Sequence, residues 1–599
     1  MENKENIRKY SDKELFKKLA IYIKPVISKF ILALIMVLLI IGLDLLPSIL
    51  TGAVVNILSG NKSMFDFLGN NPKTVITILT LSFFCVLVIS TSINYLYQMI
   101  LQHIGQDMIF KVREDTFNHI ESLTIGQINK EPIGKLVTRV TNDTNALSDL
   151  FTNVIVLLIK YILTIIVIYI VMWVISPKLT LFISLILPII IISSYLFRKI
   201  SRKAYRNVRN SVSVMNSYLS ENISGMKVTQ IFNQEEKKYK EFKEKNLALK
   251  KANLTQIFVF SIFRPLMYFL FVLCVIITLY FGSIEVSKGS IAVGTLVTYY
   301  SLVNQFFNPI ENLAEQFNQL QSALASCEKI FTVLDTEVDI KDSSCARNVG
   351  KLKGKIEFKN VWFSYNPGVW ILKDVSFVVE AGQTCAFVGA TGAGKTTILS
   401  LICRNYEFQR GQILIDDIDI RDIEISSLRE NIGQMLQDVF LFSGTIRDNI
   451  TIYDNKFSDE QIMEACKYVN ADRLINKYDD KLDHNVEERG VNYSSGERQL
   501  ISFARTILYK PNIMILDEAT ANIDTETEKV IQDSLEKMMN VGTMLIVAHR
   551  LSTIQHADKI VVLKHGEIVE EGNHQELLKK KGMYYNLYLL QYKNMENEN

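Results

Sequence analysis

Six windows of this sequence, near residues 30–53, 75–100, 152–175, 179–197, 257–282 and 292–308, are long, apolar and nearly free of charge. Each approaches the ~20 residues that a helix needs to cross a hydrocarbon core, where every backbone polar group must be bonded within its own segment. The chain is therefore predicted to cross a bilayer six times. Its 48% hydrophobic content fits that expectation and would be high for a purely soluble chain of 599 residues.

Charge sets the direction of the crossings. Lys4, Arg8, Lys9, Lys13, Lys17, Lys18, Lys24 and Lys29 precede the first window, and no small-residue cleavage site suggests a removable signal peptide. Lys and Arg are retained on the cytoplasmic side, so the N-terminus is expected inside. The connections after the second and fourth windows are long and basic, the latter opening with Arg198, Lys199, Arg202, Lys203, Arg206 and Arg209. By contrast, Ser176–Lys178 and Gly282–Ser290 are short and nearly neutral. The net charge of +2 reports this topology and argues for no nucleic-acid partner. Cys85, Cys274, Cys327, Cys345, Cys385, Cys403 and Cys466 show no CxxC or Cys/His ligand spacing, so reduced packing residues are expected, with neither disulfide nor zinc.

The long connections, about Gln102 to Leu150 and Phe197 to Gln256, interleave charges with spaced apolar residues and are predicted mostly helical. Arms of ~25 residues would extend about 35 Å beyond the membrane. Each carries a glycine-marked break that could hold a short helix, at Ile125–Gly134 and Ser224–Phe232. The reading gives a membrane domain over 1–325, a linker over 326–355 and a second domain over 356–599. There, short β-branched runs alternate with helical stretches, as in an α/β sheet domain. The final YKNMENEN is expected to fray.

The second domain opens its chemistry with Gly389, Ala390, Thr391, Gly392, Ala393, Gly394, Lys395, Thr396 and Thr397, between a strand-like and a helix-like segment. That context makes the run a phosphate-binding loop: the glycines let N–H groups curl toward phosphate oxygens, and the helix presents its positive end. Lys395 is expected on the β- and γ-phosphates and Thr396 on Mg²⁺. About 120 residues later, IMILDEAT reads as an apolar strand ending in two carboxylates. Asp517 would hold Mg²⁺, and Glu518 would orient or deprotonate the attacking water.

Further matches add up to a family. Tyr365 in VWFSY, Gln437 in MLQDVFLFSGTIRDNI, YSSGERQ from Tyr493 to Gln499, Asp524 in ANID and His549 in AHR accompany the two nucleotide motifs. Nearly the whole chain resembles the ABC transporters, specifically the bacterial exporters in which a six-helix membrane domain with long cytoplasmic helical extensions is fused ahead of a P-loop ATPase domain. The resemblance implies ATP and Mg²⁺ as cofactors and a bilayer, a small-molecule substrate and a second half-transporter as partners. Tyr365 would stack on adenine, Gln437 would join the Mg²⁺ shell and report to the membrane arms, Asp524 would communicate across the dimer, and His549 would hold the γ-phosphate. Ser494, Ser495 and Gly496 would face the nucleotide of the opposite chain.

That last element departs from the family's usual LSGGQ. Tyr493 replaces Leu, Ser495 replaces the first Gly and Glu497 replaces Gln. A Cβ at Ser495 stands where a helix N-terminus must bring bare backbone to a γ-phosphate. With the chain's own phosphate loop, Asp517, Glu518 and His549 intact, the pattern resembles one half of a heterodimer with one hydrolytic and one degenerate site, in preference to a homodimer. Export of amphipathic or hydrophobic compounds of the multidrug type is expected, with a lipid or peptide exporter as the alternative. An ATP-gated channel would usually carry a charged regulatory segment, and a soluble DNA-repair ATPase would lack the spans. Tyr299, Tyr300, Phe306 and Phe307 could line a cavity or pack helices. Asp44 and Arg264 are charges near membrane depth, expected to face a cavity or partner.

Overall fold

The computed structural model describes residues 10–61, 65, 71–517, 525–547 and 554–598. Two compact units result, one formed by residues up to Ser122 with Pro132–Thr336, the other by Leu123–Glu131 with the chain from Glu337 onward.

Among the described residues, the first unit is built of helices joined by short turns. Its long helices are Ile27–Leu58, Pro72–Ser122, Leu187–Ser224, Glu235–Ser287 and Val293–Leu334. Between the second and third of these, Val156–Ile175 ends a stretch from Ile133 that includes two π-helical segments, Arg139–Asp143 and Leu150–Ile155. Glu235–Ser287 has 53 residues, about 80 Å at 1.5 Å per residue, far more than a hydrocarbon core requires. Its charged first half is a helical arm of the expected kind.

Among the described residues, five continuous helical stretches are long and apolar enough to cross a membrane. The sixth expected span lies in Val293–Leu334, where Asn304, Gln305, Asn308 and Glu311 interrupt the apolar run. Both predicted breaks hold short helices, Ile125–Ile128 and Met226–Ile231. The first is fixed by a capping box in which Thr124 and Gln127 bond each other's backbone N–H.

Lipid tails are as apolar as leucine, so helix association in a membrane depends on close packing and interhelical hydrogen bonds. Gly52 and Gly294 supply the close approach: a Cβ on Gly294 would stand 1.8 Å from the Gly52 carbonyl oxygen. Polar bonds flank this contact. Asn56 Oδ1 accepts from the Gly294 N–H at 2.6 Å, and Gln305 donates to the Ser48 hydroxyl at 2.8 Å. Tyr299, Phe306 and Phe307 are buried in a helix-packing cluster, and the Tyr299 hydroxyl pairs with Thr180 at 2.9 Å. Tyr300 remains exposed. Asp44 accepts from Ser90 at 2.9 Å, whereas Arg264 is exposed.

The second unit is built on strands β1 (Ile356–Phe363), β2 (Leu372–Val379), β3 (Thr384–Val388), β4 (Arg410–Ile415), β5 (Ile418–Asp419), β6 (Ile432–Met435), β7 (Gly444–Thr445), β8 (Asn485–Val486), β9 (Ile513–Asp517), β10 (Thr543–Val547), β11 (Lys559–Lys564) and β12 (Glu567–Gly572). A four-stranded sheet runs β2-β1-β4-β5, and a six-stranded sheet runs β12-β11-β3-β10-β9-β6. Five strands of the larger sheet, β11 through β6, are mutually parallel.

Buried on both faces, those strands read as continuous apolar runs. Alternation still sorts their side chains. Cys385, Phe387, Ile513, Ile515, Leu545 and Val547 enter the core shared with the smaller sheet, while Ala386, Val388, Met514, Leu516, Met544 and Ile546 enter the core on the helical side. At the chain's end the helix Met583–Glu598 runs to its last described residue, where fraying was expected.

Gly294→Leu should drive the two membrane helices apart and lower stability by about 1–3 kcal/mol, the usual cost of overpacking. Thermal unfolding of the purified full chain in nanodiscs checks this; an unchanged midpoint would mean that the glycine contact does not hold the unit together.

Candidate nucleotide site

Four parallel strands deliver the candidate residues to one edge of the large sheet. In register, Phe387 of β3 lies beside Val547 of β10, which lies beside Asp517 of β9; Met435 of β6 lies beside Leu516. The phosphate loop begins two residues after Phe387, and Gln437 follows Met435 by two. In open parallel sheets, ligands bind outside these carboxyl ends. Glu518, Asp524 and His549 lie outside the described residues; in sequence, Glu518 follows Asp517 directly and His549 follows Val547 by two.

The loop has the backbone that only glycine adopts freely. Gly392 has φ +81° with open space where a Cβ would stand, and Gly394, at φ +105°, caps the helix Lys395–Ile402. The Lys395 ammonium donates to the carbonyls of Gly389 at 2.8 Å and Ala390 at 3.1 Å, which leaves a third donor for an anion. Burial pushes its pKa down, and the negative charge of Asp517 pushes back. A buried ammonium over an open, left-handed turn at a helix N-terminus fits a polyphosphate. The exposed Thr396 and the half-buried Asp517 offer oxygen donors, the kind Mg²⁺ takes alongside phosphate and water. Ala390, Thr391 and Gly392 are exposed, and Ala393 is buried.

Tyr365 follows β1 and is 43% exposed. Its hydroxyl pairs with that of Thr397 at 3.1 Å, which ties the ring to the first turn after the phosphate loop. Phe363 and Tyr406 meet it edge-on at 4.8 and 5.0 Å. The sequence reading missed Tyr406. This ring packs so closely on Gly126 that a Cβ there would lie 2.6 Å from it, and a cavity of about 400 Å³ opens beside Tyr365, Tyr406 and Gly126. Its signal in the sequence was slight, an aromatic in the polar turn after the phosphate-loop helix.

The signature residues begin a separate helix, Ser495–Leu508. Ser494 caps it by accepting the Glu497 N–H at 3.2 Å, and the Glu497 carboxylate accepts the Ser494 N–H at 2.9 Å and pairs with Lys477 at 3.2 Å. Ser495 is half-buried at the helix start and Gly496 is buried. Tyr493 is a core residue, edge-on to Tyr478 at 6.1 Å, so its replacement of Leu is a packing change.

Comparison with known proteins follows this division of the chain. The ABC transporter transmembrane region family matches residues 30–310, and the ABC transporter family matches 372–521. A putative ABC transporter ATP-binding protein of Streptococcus pneumoniae is 39% identical over 530 residues, 88% of this chain and 90% of its own. The chain belongs to the ABC transporters. Among other relatives, a probable multidrug resistance ABC transporter of Bacillus subtilis is 36% identical over 88% of this chain and 79% of its own. An ATP-dependent lipid A-core flippase of Syntrophus aciditrophicus is 33% identical over 88% and 87%. The fold matches that of a bacterial Atm1-family ABC exporter with ATP bound, at TM-score 0.78 and 24% identity, covering 94% of this chain and 98% of the other. The protein is thus an ABC exporter subunit with membrane and ATPase portions in one chain, and it binds ATP.

Tyr365→Ala should weaken ATP binding about tenfold, since stacking on a base is worth about 1–3 kcal/mol, with turnover at saturating ATP nearly unchanged. Nucleotide titration beside steady-state kinetics checks it. A large loss of saturated turnover at unchanged affinity would contradict the stacking role.

Proposed function

We propose that this ABC exporter is one half of a heterodimer that moves small amphipathic or hydrophobic compounds out across the bacterial cytoplasmic membrane, with its N-terminus and ATPase portion in the cytoplasm. In this reading residues 1–325 form the membrane domain, 326–355 the linker and 356–599 the ATPase domain. Lys395 and the loop from Gly389 to Thr397 hold the phosphates, and Tyr365 holds the adenine. Mg²⁺, held through Thr396, Asp517 and Gln437, would neutralise charge on the transferring phosphoryl group. Glu518 orients the water, and His549 supports the γ-phosphate.

The observation that carries the heterodimer reading is the start of helix Ser495–Leu508. An N-terminus that is to receive a γ-phosphate should offer free N–H groups and positive potential. Here the Glu497 carboxylate already occupies the Ser494 N–H, and the Ser495 side chain stands at the first helical position. A phosphate arriving there meets a like charge and an added Cβ. Because each signature serves the opposite chain, the weak site would be the partner's, and this chain's own site would hydrolyse ATP with the help of a good partner signature.

ATP binding would then draw the two ATPase domains together and open the membrane cavity outward, and hydrolysis would reset it. The multidrug-type relative supports a drug-like substrate. Lipid export is the second reading, favoured by the relative named as a lipid A-core flippase.

Two outcomes follow. Glu518→Gln should keep ATP binding and cut steady-state hydrolysis at least about a hundredfold, because the amide keeps shape but cannot take the water's proton; near-normal turnover would refute the role. The chain purified alone should show little coupled transport in vesicles and gain it with a half-transporter carrying an LSGGQ-type signature. Robust transport by the chain alone would establish a homodimer.

A further inference from the structure

A cavity of about 540 Å³ lies within the membrane unit, among helices Val156–Ile175, Leu187–Ser224 and Val293–Leu334. Its size falls inside the ~300–1,000 Å³ typical of small-ligand sites. Two of its walls run in parallel stripes. Leu187, Ser194 and Arg198 share one helical face, and Phe306 and Phe317 share another, with Arg198 and Phe317 meeting at one end. Three helical turns, about 16 Å, separate that end from Leu187 and Phe306. Apart from Ser194 and Arg198, the walls are apolar save for two tyrosines, Tyr169, whose hydroxyl is paired to Ser184 at 2.9 Å, and the exposed Tyr195.

The Arg198 guanidinium lies 4.5 Å from the centre of the Phe317 ring, and among the described residues no carboxylate or carbonyl accepts from it. The ring covers one face and leaves the in-plane N–H donors available. One turn earlier, Ser194 Oγ is buried and has no hydrogen-bond partner among the described residues. Arg198 also closes the fourth apolar window and opens the basic run Arg198, Lys199, Arg202, Lys203, which puts this end at the level where a bilayer gives way to water.

We propose that this cavity takes a single-chain anionic amphiphile, a long-chain carboxylate, with its acyl chain along Leu187 and Phe306 and its head on Arg198 and Ser194. The guanidinium fork matches a carboxylate, and Ser194 can donate one more hydrogen bond. A phosphate monoester, at about −1.5 to −2, carries more charge than Arg198, the one cation lining the cavity, can compensate within it. A cationic amphiphile of the same shape is repelled by Arg198. The assignment rests on the exporter reading and names a substrate class for it.

The test uses the full chain with its partner half-transporter in zwitterionic nanodiscs and the competition of four probes of equal chain length: a fatty carboxylate, its primary alcohol, its primary amine and a lysophosphatidate. The carboxylate should bind about tenfold tighter than the alcohol, with the amine weakest. Arg198→Gln should erase that preference, Arg198→Lys should keep part of it, and Leu313→Trp, which fills the cavity, should weaken all four. Equal binding of carboxylate, alcohol and amine, or preference for lysophosphatidate, would overturn the assignment, and these comparisons need only the unmutated protein. Drug-stimulated ATP turnover in the same preparation separates the two readings. If it persists without carboxylate preference, only this assignment fails; if it is absent while the carboxylate binds, the drug reading fails.

Discussion

The parallel pairing of β3, β10, β9 and β6 is the constraint on which the nucleotide chemistry depends. Parallel strands end on the same side, so residues far apart in sequence emerge side by side: the loop after Val388, Asp517, and Gln437 beyond Met435. The apolar alternation that buries both faces also fixes register, because a slip by one residue would turn Phe387, Leu545 and Ile515 out of one core and into the other. Packing thus holds the charged groups in place. Burial disfavours the charged form of Lys395 and pushes its pKa down, and a polyphosphate beside it would favour the charged form again.

The membrane unit meets a different solvent with different means. Its long helices exceed the hydrocarbon thickness, and close glycine contacts and buried polar bonds join helices, as between Gly52, Asn56 and Gly294. The first short helix, Ile125–Ile128, belongs to the packing of the ATPase unit, where Gly126 admits the ring of Tyr406, and Tyr406 in turn touches Tyr365. Tyr365, Tyr406 and the Gly126 backbone thus form one packed group inside the ATPase unit.

Much of this was legible in the sequence where the physics is local. The phosphate loop needs glycines in a fixed order before a helix, and a span needs ~20 apolar residues in a row, so both announce themselves. Asp517 could be read because an apolar strand ends on it. The sixth span was less plain, since Asn304, Gln305 and Asn308 interrupt it, and Gln305 serves a bond to Ser48 that no window reveals. Contacts made across the fold stayed hidden. Nothing local distinguishes Gly52 and Gly294 from other glycines, and Tyr493 read only as a replacement of Leu in the signature, with no local sign that its ring is buried in the core. Arg198 read as one cation in a basic run; only the three-dimensional cavity gives it a distinct environment.

In the proposed exporter, the buried ammonium of Lys395 is the anchor for phosphate. Equilibrium ATP binding to the intact full-length protein and to Lys395→Met tests this most directly. Loss of a hydrogen bond to a charged group, about 1.5–3 kcal/mol, predicts at least a tenfold weaker affinity in the variant, with the thermal midpoint of the ligand-free protein little changed. Unaltered ATP affinity in a folded Lys395→Met protein would contradict it.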